Sequence, residues 1–452
     1  MNPEAPASPL AAGTYRLDAG AVLDPGDPAD VPLRQSLLVS VEAAGWRVLA
    51  RGRPSELERH PACARAHIIN LRDKLLIPGL VNAHAHLDLT HIGPQPADPG
   101  GFPAFVALVR ARRHTDPALI HASVREGARL SRAGGVVAIG DIGGAVAGRA
   151  SLEPYLALRQ TPLRGVSFLE FFAIGESLTR AMMRVEELLG EDNMLPAAQV
   201  RLGLQPHAPY SVEIRGYERA FELSGGRAVA THLAESPAEH EFVAHAGGPQ
   251  RALLDSLGLW NASLDAVFGQ GRTPIAHLAP ALCKAQGPLL LVHLNDLSDA
   301  DIGLLAQLNA ERPFHVAYCP RASAYFGAHE AFGPHRYRDL LSCGINVCLG
   351  TDSIINLPSS GVPGKPVERI SPLDDARLLA RRDNTAPREL LAMLTLRGAA
   401  ALGLEASAFA FREGAVLAGA CTLPLPDGFA GRSAWDAWEA VLRCDCSPGL
   451  LC

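Results

Sequence analysis

The sequence predicts an α/β fold, a TIM-like (βα)8 barrel, and three observations carry that prediction. Eight short apolar runs alternate with charged, helix-like stretches from about Gly79 to Ser353. Each run is nearly all apolar until a polar residue appears at its C-terminal end. Clear helix-start signals fall between the runs. Apolar strands followed by helices indicate a parallel sheet buried on both faces. Eight such units in one stretch point to a closed barrel rather than an open sheet. A chain of 452 residues with a hydrophobic fraction of 48% has the material for so large a core.

In chain order the runs are LLIPGLVNAH (75–84), GVVAIGDI (135–142), RGVSFLEFF (164–172) and VRLGLQPH (200–207). RAVATHLAE (227–235), PLLLVHL (288–294), FHVAYCP (314–320) and INVCLGTD (345–352) complete the set. The intervening helices announce their starts. Ser236-Pro237-Ala238-Glu239 places a cap, a proline at the first helical position and an acid at the third. Ser298 with Asp301, and Ser371-Pro372 with Asp374, repeat the device, and these capping residues are assigned no chemistry. Before the barrel, Leu37–Val41 and Trp46–Leu49 read as short strands joined through Ala43-Ala44-Gly45, behind a Pro-rich opening. After it, GFAGRSAWDAWEAVL (428–442) reads as a helix.

Composition narrows the partners. A net charge of -6 without a basic run gives no electrostatic reason to expect nucleic acid or an anionic membrane surface. The longest apolar stretches fall far short of the roughly 20 residues a spanning helix needs. The opening residues lack the basic and apolar regions of a signal peptide. Nine scattered cysteines form neither a disulfide framework nor a zinc-finger spacing, although Cys444 and Cys446 sit close together. The expected setting is the cytoplasm, the expected partner a small-molecule substrate, and a homo-oligomer stays open.

The C-terminal ends of barrel strands share one face, where active sites form. The first run leads into His84-Ala85-His86, and strand positions two apart share a side, so both imidazoles are expected in the barrel mouth. His232 lies near the end of the fifth run, which closes on Glu235 just past the strand; His293 lies near the end of the sixth, and Asp352 ends the eighth. Convergent imidazoles and a carboxylate suit a divalent metal. Asp88, His91, Asp141, His277 and His315 read as structural residues. Arg321 follows the seventh strand at the same mouth, and its planar fork suits a carboxylate or phosphate on the substrate. The alternative weighed for it is a rim arginine paired to Glu330 or Asp339.

PGLVNAHAHLDLT, QPHAPYS, THLAES, VHLNDLSDADI, CPR and LGTDS, in that order, resemble the amidohydrolase superfamily. The nearer likeness is to its deaminase and chlorohydrolase branch, which acts on triazines, guanine, S-adenosylhomocysteine and aminofutalosine. The resemblance spans roughly residues 70–405. It implies a barrel over 78–405 and a small β-sandwich assembled from 1–77 and 406–452. It also implies that His84, His86, His232 and Asp352 hold one divalent ion, Zn2+ with Fe2+ as the alternative. Glu235 then shuttles protons to the substrate ring, His293 polarises the metal-bound hydroxide, Asp352 takes its proton, and His207 lies in the substrate pocket.

Two-metal relatives bridge their ions with a carboxylated lysine at the end of a middle strand. Only Lys74, Lys284 and Lys365 occur here, and none is so placed. Two departures bear on the finer reading. The stretch after Glu413-Gly414 lacks the Ala-Asp pair that opens the returning strands in relatives. Cys319-Pro320-Arg321-Ala322-Ser323 replaces an Asn-Pro-x-Ser-Asn run in the substrate pocket. The expected activity is hydrolytic deamination of a purine- or nucleoside-like heterocycle, with release of ammonia. Cyclic amide hydrolysis or hydrolytic dehalogenation on the same site is the alternative, ahead of a non-catalytic barrel scaffold.

Overall fold

The computed structural model describes residues 10–42, 45–357 and 367–451. Its central element is a nine-stranded sheet in which strands follow one another in sequence order, all parallel. The strands are Leu80–His86, Val136–Gly143, Arg164–Phe171, Val200–Pro206, Val229–Leu233, Leu289–His293, His315–Tyr318, Asn346–Leu349 and Asp352–Ser353. The last two are one strand in two pieces. Asn346–Leu349 pairs with its predecessor, while Asp352 and Ser353 pair with Ala85 and His86 of the first strand, so the sheet curls back on itself as a TIM-like barrel.

Residue chemistry explains the break at that seam. A Cβ on Gly350 would lie 2.7 Å from His84 Cβ and 2.9 Å from Cys319 Sγ, so bare backbone is needed there. The Thr351 amide donates to Asn82 Oδ1 at 3.0 Å, and Asn82 Nδ2 donates back to Thr351 Oγ1 at 2.8 Å. Consecutive strand residues fall alternately into two separate buried clusters. Leu80, Ile139, Leu289 and Leu291 belong to one, and Val81, Ala138, Leu290 and Val292 to the other. Burial on both faces is what the unbroken apolar runs require.

The first run is divided where the sequence reading joined it. Leu75–Ile77 belongs to the strand His67–Pro78 of a different sheet, and the barrel strand begins at Leu80. Pro78 has no N–H to continue the ladder. A Cβ on Gly79 would meet both Val137 methyls at 2.6 Å.

That second sheet has seven strands drawn from both chain ends, in the order Val416–Leu417, Gly45–Gly52, Ser36–Glu42, Gly13–Val22, His67–Pro78, Ala420–Pro424 and Gly449–Leu451. The expected pair around 37–49 is present and antiparallel; Ala43 and Ala44 of its connection, and residues 1–9 of the opening, lie outside the described residues. Even without the Ala-Asp pair, Ala420–Pro424 returns antiparallel along His67–Pro78. The expected terminal helix is Ala434–Arg443. The caps also form: Ser236 accepts from the Glu239 amide, Ser298 shares a reciprocal box with Asp301, and Ser371 accepts from the Leu373 amide. Among the described residues no helix is long and apolar enough to cross a membrane.

Candidate active site

At the C-terminal mouth of the barrel, four imidazoles and one carboxylate meet. The His84 ring centre lies 5.0 Å from that of His86, 5.1 Å from His232 and 5.6 Å from His293. Asp352 Oδ1 is 3.3 Å from His86 Nε2 and 3.6 Å from His84 Nε2. Ligand atoms of His84, His232 and His293 lie within 4.8 Å of one another, as do those of His84, His86 and Asp352. His84 thus belongs to both triplets. Its two ring nitrogens and His86 Nδ1 are buried without a hydrogen-bond partner. Orphaned buried nitrogens are costly unless a cation takes them. The His232 Nδ1–H donates to the His207 carbonyl at 3.1 Å, which leaves the Nε2 lone pair for the cluster. The nitrogen and oxygen donors present therefore fit a divalent ion of the zinc or iron type.

Strained backbone delivers these groups. Ala234, His293, Leu294 and Asp352 all have φ between 53° and 77°, the left-handed region that non-glycine residues avoid. Such residues persist only where their surroundings hold them. Glu239 supplies part of that hold: its two carboxylate oxygens accept from the Ala234 and Glu235 amides at 2.9 and 2.8 Å. Asn295 Nδ2 donates to the Glu235 carbonyl at 3.0 Å, and Ser323 Oγ donates to Asn295 Oδ1 at 2.7 Å. Asp141 Oδ1 accepts from the Leu87 amide and fixes the turn after the paired histidines.

Glu235 is 7% exposed, and its Oε1 lies 3.4 Å from His293 Nε2. Burial, aided by the charge of Asp352, pushes its carboxyl well above the usual range. Asp352 goes the other way. Burial opposes its ionisation, yet His84, His86 and His293 outweigh it and hold the carboxylate charged. Two neighbouring carboxyl groups with opposed tendencies fit a proton donor beside a proton acceptor.

His86, His207, His232, Glu235, His293 and Asp352 all line one cavity of about 780 Å³. Much of its lining is apolar, including Phe102, Phe105 and Val109 from the helix Gly101–Arg112 and Leu253, Leu254 and Leu257 at the helix Gly248–Ser256. The sequence reading missed Glu170 and Arg113, which also line it. Glu170 nearly ends the third strand, so the rule of polar residues at strand ends points to it; nothing local marks Arg113.

Arg321 stands apart from that cavity, which corrects the substrate-binding role expected of it. Its Nε and Nη2 donate to Asp375 Oδ2 at 3.0 and 2.7 Å, Nη2 also donates to the Ser371 carbonyl, and its amide donates to Asp375 Oδ1. Neither Glu330 nor Asp339 is its partner. The residue clamps the start of the helix Pro372–Arg382. Because Asp375 is fully buried, Arg321→Met should strand an unpaired charge and destabilise the fold by about 3–5 kcal/mol. A thermal melt checks this, and KM for any substrate should stay unchanged.

The chain has known relatives. Residues 75–415 match the amidohydrolase family. The chain is 27% identical over 336 residues to the aminodeoxyfutalosine deaminase of Deinococcus radiodurans, covering 70% of this chain and 71% of that protein. It is 25% identical over 350 residues to the 5-methylthioadenosine/S-adenosylhomocysteine deaminase of Moorella thermoacetica, covering 75% and 71%. Among solved structures, Helicobacter pylori aminofutalosine deaminase in complex with methylthio-coformycin superposes with a TM-score of 0.72 at 19% identity, over 96% of this chain and 97% of that one. An adenosine deaminase from Xanthomonas campestris with bound zinc gives 0.67 at 21% identity, over 97% and 91%. These structural likenesses speak for the shared fold.

Proposed function

This chain belongs to the amidohydrolase family, and from that premise we propose that it is a metal-dependent hydrolytic deaminase of a purine- or nucleoside-like heterocycle. One observation carries the reading: His84, His86, His232, His293, Asp352 and Glu235 converge at the barrel mouth, and all of them but His84 line one cavity of about 780 Å³. The names of the deaminase relatives support the reaction type. We further propose that 1–77 and 406–452 form the small β-sandwich domain flanking a barrel of 78–405, supported by the sheet that draws strands from both ends. The cytoplasm is the proposed compartment.

His84, His86, His232 and Asp352 would hold one divalent ion, Zn2+ or Fe2+. When bound, such an ion acts as a Lewis acid that brings the pKa of water from 15.7 to about 7. Asp352 accepts the proton of the attacking water on a carboxylate oxygen, and His293 Nε2 orients that water. Glu235 delivers its proton through Oε1 to a ring nitrogen, which makes the adjacent ring carbon electrophilic. Asp352 then passes the proton it took from water to the departing amine, and the hydroxyl left on the ring carbon returns a proton to Glu235 as the carbonyl forms and ammonia leaves. Phe102, Phe105 and Val109 put apolar surface beside these groups, and a less polar surrounding strengthens their electrostatic contacts. A single ion suits the lysine placement. Lys74 lies in the second sheet, Lys284 pairs at the surface with Glu218 at 2.6 Å, and Lys365 lies outside the described residues.

The test is product analysis over purines, nucleosides, pterins and triazines with metal-loaded protein. Ammonia is the expected product. A new carboxylate would make the enzyme a cyclic amide hydrolase, and chloride from a chlorinated ring would make it a dehalogenase.

A further inference from the structure

Two thiols that the sequence sets close together near the C-terminus have no part in the chemistry above. Cys444 closes the helix Ala434–Arg443 in extended backbone, and Cys446 follows two residues on. Their Sγ atoms lie 3.0 Å apart. A disulfide needs sulfurs about 2.05 Å apart, so this pair has about 1 Å left to close. Cysteines that serve only as packing are among the most buried side chains. Cys421, on the strand Ala420–Pro424 that pairs with Gly449–Leu451, is of that kind, whereas Cys444 and Cys446 are both partly exposed.

One guanidinium holds the pair in place. Arg377 is wholly buried; its Nη2 donates to the Cys446 carbonyl at 2.8 Å and lies 3.3 Å from Cys446 Sγ. Its Nη1 donates to Asp374 Oδ1 at 2.9 Å. The same carboxylate accepts from Arg369 Nη2 at 3.2 Å, and Arg369 Nη1 donates to Ser447 Oγ at 2.8 Å. Cys446 and its neighbour are thus fixed to the helix Pro372–Arg382, while Cys444 Sγ lies 3.4 Å from the Val441 carbonyl of its own helix. Burial, followed by the contact with Cys444, pushes the Cys446 thiol up to about 12. Arg377 opposes that rise, and it is placed to steady the Cys446 thiolate once one forms.

We infer that Cys444 and Cys446 form a dithiol site that is oxidised to a disulfide by exchange with a low-molecular-weight disulfide. The Cys444 thiolate attacks one sulfur of the small disulfide, which expels the first thiolate and leaves a mixed disulfide on Cys444. Cys446 then gives up its proton and attacks Cys444 Sγ, which expels the second thiolate. The protein loses two electrons and two protons, and the small disulfide gains both as two thiols. Such a pair suits the reducing cytoplasm proposed above, where protein disulfides are transient and redox-sensing rather than structural. The inference does not depend on the deaminase reading.

Trypsin cuts after Arg443 and releases residues 444–452 as one peptide, which also carries Cys452. The test is therefore made on the full chain with Cys452→Ser, treated with oxidised glutathione, alkylated, digested and analysed by mass spectrometry. The expected peptide is lighter by two hydrogens than its reduced form, takes up no alkylating agent, and regains both thiols on reduction. Cys283 and Cys343 are exposed and serve as controls that stop at the glutathione adduct. With Cys446→Ser added, the expected peptide also stops there, with glutathione on Cys444. A peptide that keeps both thiols while Cys283 and Cys343 are modified overturns the site. So does one that carries glutathione on both cysteines, or one crosslinked to Cys421.

Discussion

Glu235→Gln should lower kcat by at least about 10²-fold, the low end of what general acid–base catalysis contributes, while the protein retains its full metal content. The amide keeps the shape of the side chain but cannot deliver a proton. Burial already favours the protonated carboxyl, with its Oε1 3.4 Å from His293 Nε2, so the wild-type group is poised as a donor. The backbone around it is held by Glu239 and Asn295 through hydrogen bonds to main-chain atoms, which the substitution leaves in place, so the variant should fold as the parent does. Steady-state kinetics with metal analysis of the same sample checks both halves. A variant that keeps more than about a tenth of the activity would remove Glu235 from proton transfer.

His84→Ala should abolish both metal and turnover. His84 is the residue shared by the two triplets of donor atoms, and it is wholly buried. Losing one of four ligands exceeds in effect the loss of an outer hydrogen bond to a ligand, which alone costs about 10- to 100-fold in affinity. Occupancy after dialysis should fall below about a tenth of an equivalent, with activity falling in parallel. Ligand binding to the folded state alone is stabilising, so the wild type should also melt lower when stripped of metal, whereas His84→Ala should melt alike with and without it. A variant that retains tightly bound metal would show that His84 is not a ligand.

The parts of this site legible in the sequence were those set by local rules. Paired histidines two apart on a strand, and polar residues at strand ends, follow from backbone geometry, and His84, His86, His232, His293 and Asp352 do meet at one mouth. The caps at Ser236, Ser298 and Ser371 are local in the same sense. What was not legible depended on distant partners. Arg321 answers to Asp375, 54 residues on, and Arg113 to Glu170, 57 residues on. A rim position says where a strand ends and nothing about which acid folds back onto it. The division of the first run at Pro78 was missed for a related reason. An apolar stretch that changes sheets looks continuous when both sheets bury it, and only the proline and Gly79 mark the crossing.

The most direct test of a one-metal deaminase centre is a titration of metal-stripped protein with Zn2+ or Fe2+, with ammonia release followed at each addition. The account predicts a rate that rises linearly and breaks at one equivalent per chain, with no further gain beyond it. A break at two equivalents, or a rate that does not respond to metal, would contradict it.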